Sequence, residues 1–308
     1  MKGTWKEIMK AYIDLTRLQF GFAWPLLFCS GLFLAFIHYS GVDWVLLLKA
    51  VLIGFLGFEA GFVLNDYVDR NLDKKDVESS LTNYWRLFKK RPISAGLISA
   101  EKALGLFFVL VTITVVLILT LPYPHSFYLL GVMVYCYSVE YFYQAYKRTE
   151  RFPLAQLLGR TDFAMFPVAG YLVAGHPDMI ALLYFLFFYP FAMAHLGAND
   201  LIDIENDKAR GLKSVTVLYD IQGTSRWILF FTCVHIITAV IFAIFLGWYV
   251  LIGFTIGFLL LIYANRTILK QKTPLATLKV LPCFHVTMII YSLSLIIITV
   301  LHSFYGLL

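Results

Sequence analysis

Phe62-Val63-Leu64-Asn65-Asp66-Tyr67-Val68-Asp69-Arg70-Asn71-Leu72-Asp73 is the point at which an apolar run, residues 44–64, meets a row of acids. That run has about the 20 residues a helix needs to cross a bilayer. The same order returns at Asn199-Asp200-Leu201-Ile202-Asp203-Ile204-Glu205-Asn206-Asp207, again after a long apolar stretch. One such string can arise by chance. Two, each at the end of an apolar run, point to a paired divalent-cation site.

Hydrophobic residues make up 60% of the 308-residue chain and charged ones 14%, and mean hydropathy is +0.77. In water such a chain would expose apolar patches far beyond those of soluble proteins, so it is read as an integral membrane protein. Alternating ten-residue barrel strands are absent, and the fold class is all-α. About nine spans are predicted, centred on residues 21–38, 44–64, 98–121, 126–146, 161–175, 179–198, 226–246, 248–265 and 282–302. Pro167 and Pro190 fall inside the fifth and sixth spans and predict kinks there. Pro153, Pro274 and Pro282 are read as punctuating polar connections. Residues 1–308 are read as a single transmembrane domain.

With these spans, 24 of the 25 Lys and Arg lie on one side and only Lys49 opposes them. The positive-inside rule makes that side cytoplasmic. The N-terminus, both acid rows and the two longest polar connections, about 74–97 and 208–225, then face the cytoplasm of a cell-membrane protein, and the C-terminus lies outside. No signal peptide is evident. Trp5, Ile8, Tyr12 and Leu15 sit at helical spacing and predict an amphipathic helix on the membrane surface over residues 4–17. Cys29, Cys136, Cys233 and Cys283 lie in or against spans without a C-x-x-C pair and are read as packed thiols. The net charge of +6 suits basic loops against lipid head groups; no nucleic-acid module and no obligate protein partner are inferred.

On a helix, Asn65, Asp69 and Asp73 step by four residues, as do Asn199, Asp203 and Asp207, and each trio forms a stripe about 12 Å long if helical throughout. Asp66 and Asp200 lie on the flanks. Carboxylates so crowded repel one another unless a cation joins them. All-oxygen ligation suits Mg²⁺, with Mn²⁺ as the alternative. Two facing stripes would clamp a diphosphate, and Arg17, Arg91, Lys147 and Lys213 are candidates to neutralise it. A diphosphate at the mouth of an apolar helical cavity points to an isoprenoid lipid. The metal would stabilise departing pyrophosphate and aromatic rings the allylic cation left behind.

The assembled residues resemble the UbiA superfamily of intramembrane prenyltransferases. The likeness rests on both acid motifs, Arg91-Pro92-Ile93-Ser94-Ala95-Gly96, the pair Tyr143-x-x-x-Lys147, and Arg210-Gly211-Leu212-Lys213-Ser214, and it spans nearly the whole chain. It implies nine helices around a central cavity, a cytoplasmic cap from loops at about 66–97 and 200–225, and two Mg²⁺ ions. Asn65, Asp69 and Asp73 would serve one ion and Asp200, Asp203 and Asp207 the other, with Asn199 and Asp66 completing the set. Asp69, Asp203, Tyr143 and Lys147 take catalytic roles, Tyr143 standing near the leaving group. Arg17, Arg91 and Lys213 bind diphosphate.

The implied activity is Mg²⁺-dependent transfer of a polyprenyl group, such as geranylgeranyl, from a polyprenyl diphosphate donor to a lipophilic acceptor among membrane lipids, releasing pyrophosphate. An aromatic quinone precursor is the leading acceptor. The Arg-Pro-Ile-Ser-Ala-Gly stretch also resembles members that act on a glycerol-phosphate ether lipid or chlorophyllide. Haem farnesylation is less favoured, because the second acid motif is complete. A cation transporter is the competing class, and it would place its acids near mid-membrane between inverted repeats. Lys74 to Lys90 forms a longer connection than in many members, read as a lid or a plain insertion. Asp162 is a candidate for binding the acceptor or capping a helix. Glu59 is an intramembrane carboxylate that is functional by default, and His195 is read first as a hydrogen-bonded packing residue.

Overall fold

The structure, a computed structural model, describes residues 4–247 and 250–305, which form helices and connections and, among the described residues, no strand. Helix α1 (Trp5–Thr16) opens with a capping box. The Thr4 N–H donates to Glu7 Oε2 at 2.8 Å, and the Glu7 N–H donates to Thr4 Oγ1 at 3.4 Å. The helix ends at Arg17, which is in the left-handed region with φ 49°. There follow α2 (Ala23–Ala35), α3 (Trp44–Asp69), α4 (Ser80–Trp85), α5 (Ala100–Leu119), α6 (His125–Tyr146) and α7 (Leu154–Gly159). The chain continues through α8 (Thr161–Leu172), α9 (Met179–Ile202), α10 (Ile204–Arg210), α11 (Val215–Leu246), α12 (Val250–Gln271) and α13 (Pro274–Tyr305).

Among the described residues, seven helical stretches are long and apolar enough to cross a membrane: Leu18–Tyr39 around α2, then α3, α5, α9, α11, α12 and α13 as far as Leu301. The other two predicted spans also hold helices. However, α8 has only 12 residues, and α6, with 22, carries Tyr, Gln and Glu along its length, so neither meets that measure.

Helix α2 is apolar on every side and is accordingly buried, between α3, α8 and α13. Its backbone meets that of α8 at two glycines. A Cβ on Gly31 would stand 2.0 Å from the Pro167 carbonyl oxygen, and one on Gly170 would stand 1.8 Å from the Phe28 oxygen. Small residues permit this approach, as they commonly do between membrane helices. The Thr299 hydroxyl of α13 donates to the Phe33 carbonyl at 3.0 Å and ties the last helix to α2. The remaining helices pack in chain order, α3 on α5, α6 on α8, α8 on α9, then α9 on α11, α11 on α12 and α12 on α13. The backbones of α2 and α8 therefore touch around Gly31 and Gly170, with only a small apolar cavity of about 70 Å³ beside Phe28 and Ala169, and larger open spaces lie toward the end where the acid rows are.

Two sequence expectations are corrected. Pro282 does not punctuate a connection, since it lies within α13, of which Pro274 is the first residue. That is a position where a proline's missing N–H costs nothing. Residues 208–225 are not a polar loop but mostly helix, α10 and the start of α11, broken at Asp220 by φ 59°. The predicted kink sites Pro167 and Pro190 lie inside α8 and α9. The N-terminal helix is present where predicted. It buries Ala11 and Leu15 against Val63, Ile93, Ile98 and Ala103 and leaves Trp5 and Met9 exposed.

Candidate active site

Neither acid row is one continuous helical stripe. Helix α3 ends at Asp69, and Asp73 opens a separate 3-10 turn, Asp73–Lys75. Helix α9 ends at Ile202, and Asp203 is the junction from which α10 departs. In both copies the helix breaks at or just past the central Asp, so the rows turn there.

A cavity of about 210 Å³ receives both rows. From the first row it is lined by Asn65 and Asp69, and from the second by Asn199, Asp200, Asp203 and Asp207. Lys147 from the end of α6 donates to Asp69 at 3.0 Å and also to Gln144 Oε1, and Arg148 reaches Asp69 at 3.4 Å. Arg91 meets Asp73 at 2.8 Å and Asp76 at 3.0 Å. Arg210 is the link between the rows. It pairs with Asp203 at 3.3 Å, donates from Nε to Asp76 at 2.6 Å, and approaches Asp73 at 3.5 Å.

Asp66 lies outside the cavity lining. Its carboxylate takes both oxygens' bonds from Arg86, at 2.8 and 2.9 Å, and one from Arg17 at 3.2 Å. Arg17 also lies over the Phe62 ring at 4.1 Å. Asp14 of α1 accepts the N–H groups of Phe88 and Lys90, at 2.8 and 3.0 Å. These contacts dock the 74–97 connection over the cavity, to which it contributes Leu81, Thr82, Trp85, Arg86 and Arg91.

The charged groups outside the spans register this crowding. Burial, followed by the neighbouring Asp207, pushes the Asp203 carboxyl up to about 6. Burial raises Asp207 and Asp73 as well. The Arg17 guanidinium is lowered to about 10 by burial and by Arg86 beside it. Burial and neighbouring carboxylates both disfavour the charged form of these acids.

The remaining candidates separate. Tyr143 lines the cavity with Lys147 Nζ 4.8 Å from its ring centroid. It packs on Gly159, where a Cβ would stand 2.7 Å from the ring. The Lys213 side chain is exposed and absent from the lining; its backbone N–H donates to the Lys147 carbonyl at 2.8 Å. Asp162 lines an adjoining chamber, and its Oδ1 accepts the Phe163 N–H at the start of α8. His195 lines the cavity and meets His285 at 3.0 Å between ring nitrogens; His285 in turn bonds the Tyr84 hydroxyl at 2.6 Å. Glu59 is 2% exposed with neither carboxylate oxygen partnered among the described residues, and it lines neither space.

The residues fit divalent metal ions by donor chemistry, with all-oxygen side chains on one cavity. The buried Asn199 Oδ1 has no partner among the described residues, while its Nδ2 donates to the His195 carbonyl at 3.1 Å. That leaves a buried acceptor oxygen without a protein donor. Among the described residues no three carboxylates or histidines stand close enough together to ligate a metal as they are. Arginines and Lys147 stand between them and pair with their carboxylates.

Sequence reasoning passed over Glu140, Gln144, Arg160 and Arg210 as individual site residues. Glu140, Tyr143, Gln144 and Lys147 fall on one face of α6 at spacings of three and four, a polar stripe at the end of an otherwise apolar stretch that points to Glu140 and Gln144.

Helices packed in this order, with a charged cavity at the ends of α3 and α9, define a multi-pass membrane protein with an interior polar site. A model of the UbiA prenyltransferase family matches residues 22–304, and the chain belongs to that family. Among curated relatives, a protoheme IX farnesyltransferase of Neorickettsia sennetsu is 28% identical over 70% of this chain and 69% of its own. A 4-hydroxybenzoate octaprenyltransferase of Vibrio parahaemolyticus is 26% identical over 69% of this chain and 70% of its own. Among solved structures, a digeranylgeranylglyceryl phosphate synthase shares the fold with a TM-score of 0.67 and 22% identity, covering 96% of this chain and 99% of that one. A UbiA homologue from Archaeoglobus fulgidus bound to DMAPP and Mg²⁺ gives a TM-score of 0.58 at 15% identity, covering 92% and 98%.

Proposed function

We propose that this protein transfers a polyprenyl group from its diphosphate to a lipophilic acceptor in a reaction that needs Mg²⁺, with nine membrane crossings and the charged cavity on the cytoplasmic side. The observation that carries the reading is the convergence of both acid rows, with Lys147, Arg91 and Arg210, on a single cavity whose other wall is aromatic. A diphosphate needs the first set of groups, and an allylic cation needs the second.

Asn65, Asp69, Asn199, Asp200, Asp203 and Asp207 would hold the metal, and Asp73 would join through Arg91 and Arg210, which it already contacts. Bound Mg²⁺ would neutralise charge developing on the departing pyrophosphate. Lys147, Arg91 and Arg210 would trade carboxylate partners for phosphate oxygens, Arg by a fork and Lys as a point charge. Trp24 and Phe58 stack with centroids 3.9 Å apart, and Phe62 stands edge-on to both. Their faces would stabilise the allylic cation. The 74–97 connection would shield that cation from water, favouring transfer over hydrolysis.

The two curated relatives name different acceptors. An aromatic quinone precursor remains the leading choice, with the second acid motif complete as in the sequence expectation. Location of the acids at helix ends, rather than at the middles of α3 and α9, speaks against a cation transporter. Purified protein given labelled geranylgeranyl diphosphate, 4-hydroxybenzoate and Mg²⁺ should yield prenylated acceptor and one pyrophosphate per turnover. Absence of both products with every acceptor would sink the reading.

A further inference from the structure

A second chamber of about 190 Å³ adjoins the charged cavity. The two share Arg17, Phe58, Phe62, Asn65, Arg160 and Phe163, so a molecule in the chamber lies against the reacting end of a donor held in the cavity. Among its lining groups Glu140 and Arg160 each keep an open hydrogen-bonding position, and their chemistry is complementary.

Glu140 projects into the chamber from α6. Its Oε1 accepts from Asn65 Nδ2 at 2.9 Å and from Gln144 Nε2 at 2.6 Å. Gln144 is itself fixed by Lys147. Both donors converge on one oxygen, and among the described residues no hydrogen bond reaches Oε2. A carboxylate held rigidly by one oxygen with the other open is a socket for an incoming O–H.

Arg160, between α7 and α8, forms part of the wall common to both spaces. Five other cations line the cavity, and each has a carboxylate within ion-pair distance: Arg17 and Arg86 on Asp66, Arg91 on Asp73, Lys147 on Asp69 and Arg210 on Asp203. Among the described residues Arg160 makes no ion pair, and its buried Nε has no partner. The Tyr143 ring, 5.6 Å away, faces the guanidinium. A sequestered guanidinium with no carboxylate in ion-pair contact favours an anion brought by the ligand.

We infer that the chamber takes an acceptor carrying both a free hydroxyl and an acid group, the hydroxyl donating to Glu140 and the acid group meeting Arg160. This rests on the prenyl-transfer reading and narrows its acceptor. Aromatic hydroxy acids and glycerol-phosphate lipids have both groups, whereas a tetrapyrrole acid without a hydroxyl has one. In the transfer, the donor C1–O bond breaks with its electron pair leaving on pyrophosphate. The new bond to C1 takes its pair from the acceptor, whose displaced proton passes to solvent.

The test uses the full chain in detergent with Mg²⁺ and labelled geranylgeranyl diphosphate. Its acceptors are 4-hydroxybenzoate, the methyl ester that lacks the acid, 4-methoxybenzoate that lacks the hydroxyl, a glycerol-phosphate ether lipid with its dephosphorylated form, and haem. Acceptors with both groups should exceed their single-group counterparts in kcat/KM by about tenfold or more. Arg160→Gln should erase the preference for acid over ester by raising acceptor KM, with donor KM unchanged. Glu140→Gln should lower transfer to hydroxy acids with the Mg²⁺ requirement unchanged, and Glu140→Asp should restore part of it. Unchanged donor KM also shows that each variant is folded. A rise in donor KM for Arg160→Gln would assign that guanidinium to the diphosphate and overturn the inference. Transfer to haem alone would overturn it too, while leaving prenyl transfer standing. Failure of prenyl transfer itself would look different, with no pyrophosphate released from the donor by any acceptor.

Discussion

The two acid rows are nearly the same in sequence and unlike in use. In the second row all four residues, Asn199, Asp200, Asp203 and Asp207, line the cavity. In the first row only Asn65 and Asp69 do so, while Asp66 is closed off by Arg17 and Arg86 and Asp73 by Arg91. The difference comes from the segments packed beside each row. The 74–97 connection and the end of α1 bring three arginines to the first, and α10 brings one to the second. The same spacing therefore puts the same groups at both helix ends, and the neighbouring chain decides which of them face the cavity.

The largest effects should fall on the residues that face the cavity. Asp69→Ala and Asp203→Ala are expected to cut turnover by roughly a thousandfold or more, since each removes a cavity carboxylate from the metal set. Some thermal stability should be lost as well, more in Asp69→Ala, which leaves the buried Lys147 without its carboxylate, than in Asp203→Ala, whose carboxyl burial and Asp207 already disfavour as an anion. Steady-state pyrophosphate release alongside a melting curve checks both halves. Full activity in both variants would remove the metal assignment.

Asp66 should behave in the opposite way. Asp66→Asn leaves Arg86, whose side chain is 2% exposed, without its bidentate partner, and breaking a buried pair costs about 3–5 kcal/mol. A clear drop in melting temperature is expected, with Mg²⁺ affinity retained in whatever protein stays folded. A stable variant that no longer responds to Mg²⁺ would place Asp66 among the ligands and erase the contrast between the rows.

The same contrast has a pH signature. Asp203 is raised in the fold to about 6 from an ordinary value near 3.8, and Asp207 and Asp73 are raised as well. For an acid raised by folding, stability is fully present below the unfolded value and falls as pH rises through the folded one. For Asp203 alone the loss is on the order of 3 kcal/mol. Metal-free protein should therefore melt progressively lower between about pH 4 and 7. Mg²⁺ should restore the loss, so its stabilising effect grows over that window. A Mg²⁺ shift equal at pH 5 and 7.5 would contradict it.

Much of this was legible in the sequence because it depends on local pattern. Apolar runs announced α2, α3, α5, α9, α11, α12 and α13, and the Asn-Asp spacing announced which helix ends carry the acids that line the cavity. Span lengths misjudged α13, where Pro282 reads as a breaker yet sits in a helix whose neighbours satisfy the backbone. What stayed hidden depends on partners distant in the chain. Arg86 is one basic residue among many until it meets Asp66, and Arg160 looks topogenic until every other cavity cation is found to be paired. Glu140 acquires meaning only when Asn65, 75 residues away, holds one of its oxygens.

The smallest expected effect tests the reach of the family resemblance. That resemblance gives Lys213 a diphosphate role beside Lys147, but the two differ in the fold. Lys147 is 8% exposed, lines the cavity and holds Asp69, whereas the Lys213 side chain is exposed and takes no part in the lining. If the connection after α10 keeps this conformation with donor bound, Lys213→Ala should change donor KM by no more than about threefold, the range of a screened surface charge. Lys147→Ala should cost about a hundredfold or more in kcat/KM through loss of a buried cation near the leaving group. The backbone bond from Lys213 N–H to the Lys147 carbonyl survives either substitution, so the comparison isolates the two ammonium groups. Equal losses would mean that this connection turns inward when the diphosphate enters. The second acid row would then, like the first, be completed by the segment C-terminal to it.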